Sequence, residues 1–245
     1  MSSDHPTTAK WVAGVDGCPA GWLVVFRSLV DDDHSACIVE SIETVMNSSK
    51  APCVVAVDIP IGFPTISVTG GCAAEREARA NLGQPRGSSV FPRPSRKTLK
   101  ATTFPEACDI EFDNSNPQKR MTQQAFNLFC KLKEIDLIAA RYAGRLFECH
   151  PEVSFWVMNN RTAMGRSKAT SLGREERRKH LQKHRYLDTF LTTRVGSAKE
   201  HALDDLLDAC VAAWTAERIF RHEAIKFPKI AERLDDAGLE MAIRA

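Results

Sequence analysis

Two β-rich runs in this chain, WVAGVD at 11–16 and CVVAVD at 53–58, each end on a carboxylate, Asp16 and Asp58. Side chains alternate along a strand, so Val12, Gly14 and Asp16 share one face, as do Val54, Ala56 and Asp58. Each Asp therefore stands at the carboxyl end of a strand above a small residue, at the edge where open α/β sheets bind ligands. Gly17 lets the chain turn at once after Asp16. If the two strands are neighbours, the carboxylates repel, and one must take a proton unless a cation lies between them. A divalent ion removes that conflict, and hard oxygen donors select magnesium or manganese.

The rest of the pattern builds a sheet around these two runs. WLVVF (22–26) and a strand near 35–40 follow the first run through turns rich in Gly, Pro and Asp. A short helix with Ser41 as N-cap precedes the second run, whose near-continuous apolar character suits a strand covered on both faces. Residues 60–118 are dense in Pro and Gly and read as a loop-rich insertion with one short helix near 72–82. A long helix is expected over 122–142, with Phe126, Phe129, Ile135 and Ile138 on its period. A strand over 145–152, a basic helix around 174–184 and a last helix over 201–220 complete the series. In the last helix Leu203, Leu207, Cys210 and Trp214 form an apolar stripe. No repeat or linker divides the 245 residues, so a single domain over 1–245 is expected.

That last helix brings further acids. Asp205 and Asp208 are three apart and Asp204 and Asp208 four apart, so either pair can converge on one face. The small residues after Asp208 allow a close approach to a sheet. Glu148, ending RLFE, is another candidate, with His150 nearby and Glu152 read as peripheral. The adjacent Cys149 and His150 face opposite ways on a strand and make a poor dyad. RGSSVFP lacks the strand–turn–helix frame of a nucleophilic serine.

Two basic stretches, RGSSVFPRPSRKTLK (86–100) and 166–185, suit a phosphate-rich partner in a chain whose net charge is only +2. Arg86, Arg93, Arg96 and Lys97 are the expected contacts to backbone phosphates, and Phe91 is a candidate for stacking on a base. Eight scattered cysteines without a C-x-x-C pair argue for reduced thiols rather than zinc or disulfides. The polar first ten residues and the lack of a long apolar run point to a soluble, cytoplasmic chain.

The ordered series GVDGCPAGW, VDIPIG, RGSSVFPRPSR, QAFNLFCKLKEID, ECHPEVSFW and DDLLDACVAAW resembles domain of unknown function 429, over roughly residues 11–220. The resemblance implies an RNase H-like three-layer α/β/α fold with a mixed sheet, and a nuclease activity. The arrangement is also similar to the Holliday-junction resolvase branch of that fold, where an acid on the first strand, one on the fourth and a pair on the last helix hold two metals. By position these become Asp16, Asp58, Asp205 and Asp208, with Glu148 in support. The expected function is thus two-metal hydrolysis of nucleic-acid phosphodiesters with Mg2+ or Mn2+. The alternatives are an actin-like ATP-binding phosphotransferase or ATPase, and a non-catalytic nucleic-acid-binding scaffold.

Overall fold

The computed structural model describes residues 10–197, 199–230 and 234–245, so the polar opening segment lies, apart from Lys10, outside the described residues. The first two strands, β1 (Trp11–Cys18) and β2 (Gly21–Ser28), form a hairpin joined by β3 (His34–Val39). Helix α1 (Ile42–Met46) is capped by Ser41, whose hydroxyl accepts from the Glu43 N–H, and β4 (Val54–Val57) follows. The central sheet also takes in β7 (Leu146–Glu148), and its order is β3-β2-β1-β4-β7. The first three strands are antiparallel neighbours, and β4 and β7 join parallel.

The insertion holds more structure than its Pro and Gly content suggests. The helix expected near 72–82 is α2 (Ala73–Leu82), and a second, α3 (Phe104–Asp113), lies between the tiny strands β5 (Ser67–Val68) and β6 (Ser115–Asn116). Thr103 caps α3 and Pro105 sits in its first turn, where a missing N–H costs nothing. The long helix expected over 122–142 is broken into α4 (Gln123–Phe126) and α5 (Phe129–Ala139). The segment 145–152 leaves the sheet after Glu148, and Pro151 opens α6 (Pro151–Met158) with His150 extended at its N-cap. Helices α7 (Ser171–Lys183) and α8 (Asp188–Leu191) precede α9 (Asp205–Phe220), and a ribbon of β8 (Lys226–Phe227) and β9 (Ile243–Arg244) ends the chain. Since α9 starts at Asp205, Leu203 is left outside the expected stripe and is exposed.

Strand parity sorts the core into two layers of helix with the sheet between them. Ala13, Val15, Val24, Val55 and Val57 face α1 and α5, where Ile42, Ile135 and Ile138 are buried. Val12 and Ala56 face Ala212 and Ala216 of α9, and Leu23 and Val25 join Phe155, Leu181 and Leu207 on the same side. Helix α9 lies so close to β1 that a Cβ on Gly14 would sit 2.6 Å from the Ala212 carbonyl carbon and overlap the Ala209 and Ala213 backbone.

Arg93 ties the insertion to the sheet. Its side chain is buried, with Nε 2.6 Å from Glu75 Oε1 and Nη2 2.9 Å from Glu148 Oε1. Its Nη1 donates to the Ile61 and Gly62 carbonyls at 2.8 and 3.0 Å. Burial pushes the Glu75 carboxyl up, but the Arg93 charge and the hydrogen bonds from Arg93 and Cys72 together outweigh it and hold the group below its ordinary value.

Two stability outcomes follow from this packing. Gly14→Ala should lower the unfolding free energy by about 3 kcal/mol, since neither backbone can yield; chemical denaturation measures it, and an unchanged midpoint would refute the close approach. Arg93→Met should cost about 3–5 kcal/mol by leaving two buried carboxylates unpaired. Arg93→Lys should recover little of that loss, because one ammonium cannot span the same acceptors; full recovery would mean that charge alone matters.

Candidate functional site

The register of β1 and β4 sets the two strand-end acids abreast. Gly14 pairs with Ala56 and Val15 with Val57, and the Asp58 N–H donates to the Val15 carbonyl at 3.0 Å. Asp16 and Asp58 therefore project from the same face, the one covered by α9. The turn after β1 satisfies one oxygen, with the Gly17 N–H 2.9 Å from Asp16 Oδ1. Among the described residues, no hydrogen bond or ion pair reaches the Asp58 carboxylate.

The small residues of α9 let that helix carry Asp208 in behind them. Asp16 is 8% exposed and Asp208 1% exposed. Burial, then the charges of Asp208 and Asp58, push the Asp16 carboxyl well above its ordinary value. Burial likewise raises Asp58 and Asp205, and it pushes Asp208 up to about 7 against the opposing pull of Lys168.

Lys168, from the loop between α6 and α7, is the member of the site that no sequence pattern indicated. Its Nζ lies 2.5 Å from Asp208 Oδ2 and 3.5 Å from Asp204 Oδ2. Burial alone would lower this ammonium's pKa, but Asp208, Asp16 and Asp58 together outweigh it and keep the group charged. The choice between Asp204 and Asp205 is thereby informed: Asp204 shares Lys168 with Asp208. Asp205 instead accepts a bond from the Ala202 N–H at 2.7 Å.

Asp16, Asp58 and Lys168 border a cavity of about 230 Å3, whose lining also includes Glu152, Lys131 and Phe91. Glu152, read as peripheral from sequence, is buried and bonds Arg177 through Oε1 at 2.5 Å. Its Oε2 is buried without a partner, and so is Asp208 Oδ1. Such orphaned oxygens are costly unless something binds them.

Glu148 stands apart from the aspartates. It pairs in register with Val57, so its side chain projects to the opposite face of the sheet from Asp58. There it accepts from Arg93 and from the Ile61 N–H at 2.8 Å. It organises the wall of the cavity and does not join the carboxylate group.

Two of the four expected phosphate contacts are also corrected. Arg93 is enclosed by Glu75 and Glu148 and cannot reach a ligand's backbone. Arg96 is held between Asp136, at 2.9 Å, and Asp235. Lys97 is exposed and Arg86 half-buried, and neither lines the cavity. The basic stretch at 166–185 is largely spent internally: Arg177 pairs with Glu152, Arg178 with Asp188, and Arg185 with Asp32 and Glu217. All eight cysteines are free, and burial pushes the Cys149 thiol well above its ordinary value, which leaves it inert.

The donor set suits a hard divalent cation, since it offers carboxylate oxygens, some of them buried and unpartnered. Among the described residues, however, no three His, Cys, Asp or Glu side chains close on a common point as a finished ligand shell. Lys168 supplies the positive charge among them. No helix of the described residues is long and apolar enough to cross a membrane.

Comparison with known proteins finds one family model, described as protein of unknown function (DUF429), that matches residues 14–233. No curated protein and no solved structure matches the chain. The matched span contains the strand-end aspartates, Arg93, Lys168 and α9, so fold and candidate site fall together within it. The chain belongs to the DUF429 family.

Proposed function

We propose that this chain is a metal-dependent nuclease with an RNase H-like fold. The single observation that carries the proposal is the meeting of Asp16 and Asp58, from adjacent parallel strands, with Asp208 of α9 beside an open cavity. The strand order β3-β2-β1-β4-β7, antiparallel then parallel, supports the RNase H-like reading, as does the last helix packed on the first strand.

In this reading Asp16 and Asp58 would hold Mg2+ or Mn2+, with Asp208 adding negative charge behind them. When bound, such an ion lowers the pKa of a water and polarises the phosphodiester. The chain's own residues do the rest. Gly14 and the alanines of α9 fix how far Asp208 stands from the strand ends. Arg93 holds the wall opposite through Glu148. Phe91, 47% exposed, stands at the mouth of the cavity with its ring available to an unpaired base. Lys131, half-buried beside Gly17, sits over Trp22 with its Nζ 4.5 Å from the ring centroid and adds positive charge at the same mouth. A phosphate strand drawn to these cations is placed by charge, without any reading of sequence.

Incubation of a labelled panel of single-stranded, duplex, hybrid and four-way-junction substrates with manganese should give cleavage by the wild-type chain. Asp16→Asn and Asp58→Asn should each lower the rate about 100-fold or more; wild-type rates in both variants would eliminate the mechanism. Phe91→Ala should weaken binding of single strands roughly ten- to hundredfold if its ring stacks on a base. Fluorescence anisotropy reads that change, and an affinity equal to wild type would remove Phe91 from the interface.

A further inference from the structure

We propose that Lys168 takes the place of one of the two cations of such a carboxylate site, so that the chain binds a single divalent ion on the strand side. The inference rests on the metal-dependent reading above and narrows it. Its first support is position. Lys168 Nζ contacts carboxylates of both Asp204 and Asp208, which lie one helical turn apart at the start of α9. The cavity is bordered by Asp16, Asp58 and Lys168 but not by Asp204, Asp205 or Asp208. The ammonium therefore screens the helix acids from the cleft.

The second support is charge. Lys168 offsets the buried Asp208, its nearer partner, while Asp204 is partly exposed to water; on the cavity that leaves Asp16 and Asp58, two negative charges, those of one divalent ion. Glu152, with its unpartnered Oε2 beside the same cavity, offers a further oxygen to that ion. A second divalent ion at the helix acids would stand against the ammonium, and at such separations like charges repel by several times the thermal energy outside bulk water.

The third support is the way the Lys168 loop is anchored. Arg174 Nη1 donates to the Lys168 and Ala169 carbonyls at 3.3 and 2.9 Å. Arg177, fully buried, donates to the Arg166 carbonyl at 3.0 Å. Glu176 accepts from the Gly165 and Arg166 N–H groups, both at 2.9 Å. Three residues of one turn of α7, Arg174, Glu176 and Arg177, thus strap the loop that presents one lysine. The chemistry this serves is a fixed positive charge beside a phosphodiester, aimed where negative charge grows as the bond breaks.

Isothermal titration of the full chain with manganese tests the assignment, with circular dichroism confirming that each variant is folded. Wild type and Lys168→Arg should each bind one ion. Lys168→Met should bind two, or bind one at least ten times more tightly. Two ions in the wild type would overturn the inference and leave the metal-dependent reading standing. So would a Lys168→Met chain equal to wild type in both stoichiometry and affinity. Absence of binding by all three folded chains would overturn the metal-dependent reading and this inference with it.

Discussion

The approach of α9 to β1 over Gly14 is the contact on which the site depends. A helix packed on a sheet with ordinary side chains between them stands about 10 Å away, as stacked layers do. Here the missing Cβ of Gly14 and the alanines at 209, 212, 213 and 216 remove that spacer. The consequence is electrostatic as well as steric. Asp208 is carried into the space behind Asp16, where water cannot screen it; burial first, and then the Asp208 charge, raise the proton affinity of Asp16. A bulkier face on either element would have separated the acids and dissolved the conflict, along with any reason for a cation to bind.

Much of this was legible in the sequence because it depends on short-range periodicity. The alternation in WVAGVD and CVVAVD places both aspartates on one face above small residues, and the register of Gly14 with Ala56 keeps them there. The alanines after Asp208 announce a close-packed helix. The misreadings have one physical origin, which is that register and long-range pairing are not written locally. Glu148 ends its strand as Asp58 does, but it pairs with Val57, one position earlier, and a shift of one residue turns a side chain to the other face. Arg93 sits in a basic, proline-rich stretch that reads as exposed; only the fold shows Glu75 and Glu148 closing around it. Lys168 carries no local signal, since its partners lie 36 and 40 residues away in a helix. The one available hint was the acid surplus at the strand ends and on α9, which required a cation from somewhere.

The insertion shows how composition misleads in the same way. Proline in PRPSR and TFPEA suggested open loop, yet Pro105 is in the first turn of a helix that Thr103 caps. Glu111, on the last turn of that helix, is buried and accepts from Ser67, Ser95 and Thr98. The segment is thus held by buried polar contacts that repeat the logic of Arg93: a charged side chain enclosed by several partners fixes backbone that has few apolar residues to bury.

The two faces of the strand ends meet the same electrostatic problem and resolve it differently. On one face Arg93 saturates Glu75 and Glu148 with a planar fork of donors and spends its remaining hydrogen bonds on two carbonyls, so nothing is left for a ligand. On the other face the fixed cation is a lysine, a point charge that reaches the helix acids and stops there. Asp58 is left without a partner among the described residues, and Asp16 with only its own turn. An apolar residue in that place would leave the buried Asp16 and Asp208 and the half-buried Asp58 to repel one another with no fixed cation beside them. The ammonium avoids that. It offsets part of the charge gathered by the acids, and in the proposed reading the remainder is what a divalent ion would meet.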